Sequence, residues 1–179
     1  MIPVNVDKIS YHPSSRSYAV LLKEEKSEKV LPILVGSFEA QSIALALEVV
    51  ETPRPLTHDL ICEMIKKIDA KLISVYISKL NDGVFYAKLK IKGLKFGIKQ
   101  IDSRPSDAIS IALRLNAPIY VSPEVIKEAG VNQEDISEES SLTPKYSIED
   151  LELRLKKAIE KEDYEKAAKI RDKLKELDS

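Results

Sequence analysis

Apolar and polar positions alternate, weakly at first, over residues 2–11, then over 17–23 and 29–35. A period of two predicts three strands, the second and third joined by the polar turn Glu24-Glu25-Lys26-Ser27-Glu28. Gly36-Ser37 breaks the pattern, and Ser37 is a candidate cap for a helix over 38–47, apolar on more than one face and so expected to be buried. A second helix is expected after Thr57, with Leu60, Ile61, Met64, Ile65 and Ile68 on its inner face. Residues 72–80 and 84–92 alternate on either side of Asn81-Asp82-Gly83, a hairpin signal, and 94–101 continue the meander. A third helix is expected from about Pro105 to Leu115, a short strand over 118–121, and a short helix over 123–129 ended by Gly130. Strand meanders interrupted by helices predict an α+β fold, with an antiparallel or mixed sheet and packed helices.

From residue 131 the composition shifts to Asn, Gln, Glu, Asp, Ser and Pro, which reads as a flexible linker over 131–146. Helical spacing then returns in Leu151, Leu155, Ala158, Ile159, Tyr164, Ala167, Ala168, Ile170, Leu174 and Leu177, with Asp163 a candidate cap between two halves. The expected organisation is therefore a domain over 1–130, a linker over 131–146 and a C-terminal α-helical hairpin over 147–179. A hairpin this small rarely buries enough surface to stand alone, so it is expected to pack on a partner or on its own copy.

Composition adds modest constraints. The 179 residues are 44% hydrophobic, enough for a real core, and the net charge of −1 carries no global nucleic-acid signature. The charge is split, however: residues 1–130 hold 18 Lys/Arg against 15 Asp/Glu, and 131–179 hold 10 against 14. No run approaches a membrane span, and the N-terminal residues lack the basic and apolar regions of a signal peptide. With a single cysteine, Cys62, expected to be a packing residue, the chain reads as cytoplasmic.

Two segments built alike carry the candidate chemistry: Arg54-Pro55-Leu56-Thr57-His58-Asp59-Leu60 and Asp102-Ser103-Arg104-Pro105-Ser106-Asp107-Ala108. Each sets an Arg-Pro step and a Ser or Thr ahead of a helical pattern. Proline keeps the residue before it extended, so each Arg should sit where the chain enters a helix N-terminus, an end that attracts anions. Arg54 and Arg104, with Thr57 and Ser106, are thus candidate phosphate binders. His58, Asp59 and Asp107 are candidate catalytic groups, His58 because imidazole exchanges protons near neutral pH. Glu39 and Asp102 are candidate ligands for Mg²⁺ or Mn²⁺. The plainer reading stays open: Asp59 and Asp107 also suit the first turn of any helix, and Thr57 and Ser106 any cap. His12, in a Pro-Ser-Ser turn, reads as a solvated turn residue. No HExxH, Cys/His cluster, P-loop or GxSxG occurs.

The meander offers a second candidate. Tyr86, Lys88, Lys90 and Lys92 alternate with Phe85, Ala87, Leu89 and Ile91, Lys95 and Lys99 are expected to extend the basic face, and Tyr76 to share it. Lysines beside tyrosines can track and stack a nucleic-acid strand. The same row also suits the wet side of an antiparallel sheet, where lysine guards against edge pairing.

Four motifs in order, Leu31-Pro32-Ile33-Leu34-Val35-Gly36 with Glu39-Ala40, the Arg54–Leu60 segment, Phe85-Tyr86-Ala87, and the Asp102 segment through Ile109, resemble the bifunctional nuclease (BFN) domain family over roughly residues 1–130. The resemblance implies an α+β fold, self-association with a dimer favoured, and cleavage of phosphodiester bonds in DNA and RNA. Residues 147–178, through the core from Ala158 to Asp172, resemble the UVR hairpin, named from nucleotide-excision-repair proteins. That resemblance implies a protein–protein contact made by Tyr164, Ala167, Ala168 and Arg171. The expected function is a nuclease with a C-terminal interaction hairpin, and the competing one a non-catalytic adaptor that binds nucleic acid or a ligand and recruits a partner.

Overall fold

A computed structural model describes residues 1–12, 16–25 and 27–132. Eight strands and four helices follow one another as β1 (Ile2–His12), β2 (Ser17–Glu24), β3 (Lys29–Val35), α1 (Ser37–Leu47), α2 (Thr57–Lys67), β4 (Ala70–Asn81), β5 (Val84–Gly93), β6 (Gly97–Ser103), α3 (Pro105–Arg114), β7 (Ile119–Val121), α4 (Pro123–Ala129) and β8 (Val131–Asn132). The strands form one mixed sheet in the order β6-β5-β4-β7-β1-β2-β3-β8. Every pairing is antiparallel except β4 with β7, which α3 makes possible by carrying the chain back across the sheet. The expected α+β class holds for these residues. The hairpin expected over 147–179, with Tyr164, Ala167, Ala168 and Arg171, lies outside the described residues, as does most of the linker; Val131 and Asn132 of that linker form β8, paired to β3.

The Asp82-Gly83 turn has φ of 50° and 76°, the left-handed pair that matches the twist of a two-residue hairpin. It sets the register in which Ala87, Leu89 and Ile91 of β5 face the helices and Lys88, Lys90 and Lys92 face away. Helices α1 and α2 pack on α3, and α3 lies on β4 and β5. Ile43, Leu22, Leu31, Ile77 and Ile109 are fully buried in the single main core between helices and sheet. Each such side chain is worth about 2–3 kcal/mol of burial.

Several expectations shift. Gly36, not Ser37, is the N-cap of α1, and Ser37 begins the helix. That helix is half-buried rather than buried: Ala40, Ser42 and Ile43 point inward while Phe38 is almost fully exposed. Helix α2 turns its Ile61-Cys62-Ile65 face to the core, leaving Leu60 56% exposed and Met64 and Ile68 equally outside. Both faces carry apolar residues at helical spacing, so periodicity alone could not choose between them. Strand β6 also differs. Lys99 stands opposite Ile91 on the helix side, and Ile98, Gln100 and Asp102 stand opposite Lys92, Lys90 and Lys88 on the open side. The basic face therefore loses Lys99 and acquires an acid. Its other members gain Tyr120, stacked on Tyr76 with ring centres 5.6 Å apart, and Lys79, whose ammonium lies 5.4 Å from the Tyr86 ring.

The two faces of α2 can be separated by substitution. Ile65→Ala should cost about 3 kcal/mol of stability in urea unfolding, and Leu60→Ala no more than about 0.5 kcal/mol. The reverse ranking would put Leu60, not Ile65, on the core side of α2.

Candidate functional site

Three helices bring their polar residues to one line. On α3, Asp107, Ser110 and Arg114 fall at spacings of three and four, one stripe of the helix surface. Glu39 and Ser42 are three apart on α1, and His58 and Asp59 open α2. The Arg-Pro step at 104–105 places Pro105 at the first helical position, where its missing N–H costs nothing, and makes Arg104 the N-cap.

The contacts run without a break. Arg104 grips Asp107 with two bonds, Nε to Oδ2 at 2.8 Å and Nη2 to Oδ1 at 3.0 Å, and donates from Nη1 to Glu39 Oε1 at 3.1 Å. His58 Nε2 lies 3.1 Å from Asp107 Oδ1. Its Nδ1 lies 2.8 Å from Ser42 Oγ, which is 2.8 Å from Ser110 Oγ. Arg114 Nη1 donates to Ser110 Oγ at 2.7 Å and to the carbonyls of Ser42 and Ser110, while its Nε donates to Asp59 Oδ1 at 2.6 Å. Asp59 Oδ2 accepts the Leu56 N–H at 2.8 Å, which closes the line at the start of α2. One end is wet and the other dry: the Arg104 side chain is 65% exposed, that of Arg114 only 10%.

Charges follow from these contacts. Burial alone would raise the Asp107 carboxyl, but hydrogen bonds from Arg104 and His58, and their charge, outweigh it and hold the group below its ordinary value of 3.8. Burial likewise opposes, and Arg114 with the Leu56 N–H overcomes it to lower, Asp59. The Cys62 thiol is pushed up by burial, in keeping with a packing residue.

Of the candidates read from the sequence, His58, Asp107, Arg104 and Glu39 meet directly. Asp59 joins through Arg114 and serves to cap α2. Arg54 lies exposed on the loop before α2, where its carbonyl accepts a bond from Thr52 Oγ1, and its guanidinium does not enter this network. Thr57 is the exposed first residue of α2, with Leu56 in the N-cap position, and Ser106 is buried in the first turn of α3. Asp102 faces the open side of the sheet beside Lys88. His12 ends β1 opposite Ser17. Sequence reasoning missed Ser42, Ser110 and Arg114. The available signal was a serine inside the apolar run of each helix, Ser42 and Ser110, with an arginine one turn beyond the second.

A cleft of about 410 Å³ opens beside the dry end, lined by Leu45, Val49, Leu56, Leu113, Asp59 and Arg114. It does not reach His58, Asp107 or Arg104, so the exchangeable protons and the exposed cation lie elsewhere. Glu39 and Asp107 are two carboxylates already joined by a guanidinium, and no group of three or more metal-ligating side chains exists among the described residues. Mg²⁺ keeps several waters and is held through one or two carboxylates with substrate oxygens, so Glu39 and Asp107 would supply only part of its shell.

Comparison with known proteins places this architecture. The chain belongs to the bifunctional nuclease domain family, whose model matches residues 20–134 and so spans the whole site. A second model, the UvrB/uvrC motif, matches residues 145–179. An uncharacterized protein of Mycobacterium tuberculosis is 42% identical over 125 residues, which cover 69% of this chain and 73% of the relative. Bifunctional nuclease 1 of Oryza sativa subsp. indica is 29% identical over 123 residues, 66% of this chain and 37% of that protein. Bifunctional nuclease 2 of Arabidopsis thaliana is 27% identical over 187 residues, 92% of this chain and 56% of that protein. This chain thus spans well under two thirds of either plant protein. Among the described residues no helix is long and apolar enough to cross a membrane.

The lowered carboxylates carry a sign. A depressed folded-state value means stability that is present above the ordinary value and lost as pH falls through the folded one. The melting temperature should therefore fall as pH drops below 3.8, the ordinary value of both groups. Asp59→Asn should flatten that fall, as read by calorimetry across an acid series.

Proposed function

We propose that this protein is a nuclease that hydrolyses phosphodiester bonds in DNA, RNA or both, with the His58–Asp107 pair as its acid–base unit and Arg104 as its phosphate clamp. The observation that carries this reading is the exposed Arg104 guanidinium bound to the same carboxylate that His58 holds. A phosphate arriving at Arg104 competes with Asp107 for the same donors. Once the guanidinium turns to the phosphate, Asp107 loses much of what keeps it a weak base, and a water against its exposed edge can give up a proton to it. The hydroxide adds to phosphorus as the bond to the leaving oxygen breaks, and the proton held on Asp107, which still accepts from His58 Nε2–H, passes to that oxygen. Substrate binding and base activation are coupled through one arginine.

The open sheet face, turned away from the helices that carry the clamp, offers a separate surface for a nucleic-acid strand. Lys88, Lys90 and Lys92, with Lys79, Tyr86 and the stacked Tyr76–Tyr120 pair, offer cations and π-faces spaced along neighbouring strands. Arg54, Thr57 and Ser106 are left outside the clamp. Mg²⁺ or Mn²⁺, if used, would draw on Glu39 and Asp107 with substrate oxygens, since Asp102 faces away. The exposed Leu60-Met64-Ile68 stripe suits self-association as a dimer, readable by sedimentation. The UvrB/uvrC motif favours a second role as well, recruitment of a protein partner by residues 147–179. In pull-downs, loss of partners on deleting 147–179 supports that role, and an unchanged partner list counts against it.

The decisive assay uses purified protein on single- and double-stranded DNA and RNA, with added Mg²⁺, added Mn²⁺ or a chelator. His58→Ala should lower the cleavage rate on the order of 100-fold, the lower end of what a positioned acid–base group supplies. Arg104→Ala should raise KM and lower kcat together, and Arg104→Lys should recover only part because it lacks the two-bond fork. Variants that cleave like the wild type would sink the assignment.

A further inference from the structure

We propose that Arg114, Ser110 and Ser42 form a one-way chain of hydrogen bonds that orients His58, supplying a donor to Nδ1 so that the ring proton stays on Nε2 against Asp107. This inference rests on the nuclease reading only for the use made of His58; the chain itself follows from geometry and donor counting.

The count begins at the two fixed ends. Asp107 is a carboxylate that accepts two bonds from Arg104, so it can only accept from His58, and Nε2 must carry hydrogen. In neutral imidazole Nδ1 is then bare and needs a donor. Its partner is Ser42 Oγ at 2.8 Å, whose single hydrogen is thereby committed to His58. The contact between Ser42 and Ser110 must then be a donation by Ser110. Ser110 in turn can only accept from its remaining neighbour, and that neighbour is Arg114 Nη1 at 2.7 Å, which has no acceptor capacity. Each hydroxyl hydrogen has one place to go, while Arg114 Nη1 shares its two hydrogens among three acceptors, and the direction is imposed by a cation at one end and an anion at the other.

Burial makes this direction binding. Ser110 is 0% exposed and Ser42 9%, so water cannot replace a lost partner cheaply. Reversing the two hydroxyls would point both neighbours of Ser110 Oγ at it as donors and strand its own hydrogen. Arg114 is itself held in place by Asp59 and by the carbonyls of Ser42 and Ser110. The positioning residues therefore tie the His58 ring to the α1–α3 contact. An imidazole whose two nitrogens face a carboxylate and a hydroxyl could otherwise turn over and exchange them.

The test is spectroscopic. The chain has two histidines, so ¹⁵N-detected histidine spectra of the full-length protein at alkaline pH give two ring systems, with His12 as internal reference. His58 should show a single tautomer with hydrogen on Nε2 and an acceptor-type Nδ1. A His58 signal of the opposite tautomer, or an averaged mixture, in the wild type overturns the proposal. Ser42→Ala should convert His58 to a mixture and lower cleavage about tenfold, and Ser42→Thr should restore the single tautomer because the hydroxyl is kept. A Ser42→Ala spectrum identical to the wild type also overturns it, since Asp107 alone would then suffice. If the tautomer responds as stated while no preparation cleaves nucleic acid, the chain of bonds stands and the nuclease reading falls.

Discussion

A buried hydroxyl pair, Ser42 on α1 and Ser110 on α3, holds the rest of the site in register. Two helices packed only through alanine, isoleucine and leucine can slide or rotate by small amounts at little cost, because dispersion is non-directional. A hydrogen bond between interior hydroxyls removes that freedom, since misalignment would leave unpaired polar groups where water does not reach. From this contact the line reaches His58 on one side and Arg114 on the other, so three helices share one register. Buried polar contacts of this kind specify an arrangement more than they stabilise it.

The line also grades from dry to wet. At Arg114 the cation is enclosed and spends its bonds on carbonyls, a hydroxyl and Asp59; at Arg104 the cation is largely in solvent and bonds the Asp107 and Glu39 carboxylates. Removing Asp59 takes the carboxylate from the buried Arg114 cation, which costs more than losing an exposed pair. The two arginines differ in kind for that reason. The inner one sets geometry, and the outer one stays open to solvent. Gly36 belongs to the outer group through space, not torsion: a Cβ there would sit 2.7 Å from Glu39 Oε2, the carboxylate that meets Arg104.

The twin Arg-Pro segments show how local likeness misleads. Both arginines precede helix starts, as capping rules require. Yet Arg104 is itself the N-cap and reaches back over the first turn to Asp107, whereas Arg54 lies two residues outside its helix, on an exposed loop. The same Arg-Pro step, three residues before an Asp in one segment and five in the other, puts one guanidinium in the site and the other out of it. Asp102 fails as its partner for a related reason. One position along a strand flips a side chain to the other face, so the register of β5 with β6 sends Asp102 away from the helices.

The sequence by itself determined most elements, the hairpin turn at Asp82-Gly83, the α+β class, the family and the nomination of His58, Arg104, Asp107 and Glu39. These depend on local torsion, alternation and side-chain chemistry, all of which act within a few residues. Only the tertiary structure decided which face of α2 is buried, which side of the sheet holds Lys99 and Asp102, and that Ser42, Ser110 and Arg114 complete the site. Those choices depend on contacts across long stretches of chain, such as Ser42 with Ser110. Apolar periodicity on both faces of α2 left its orientation to be settled by packing. A serine in an apolar helix announces that it must find a partner; which partner it finds is fixed only when the helices meet.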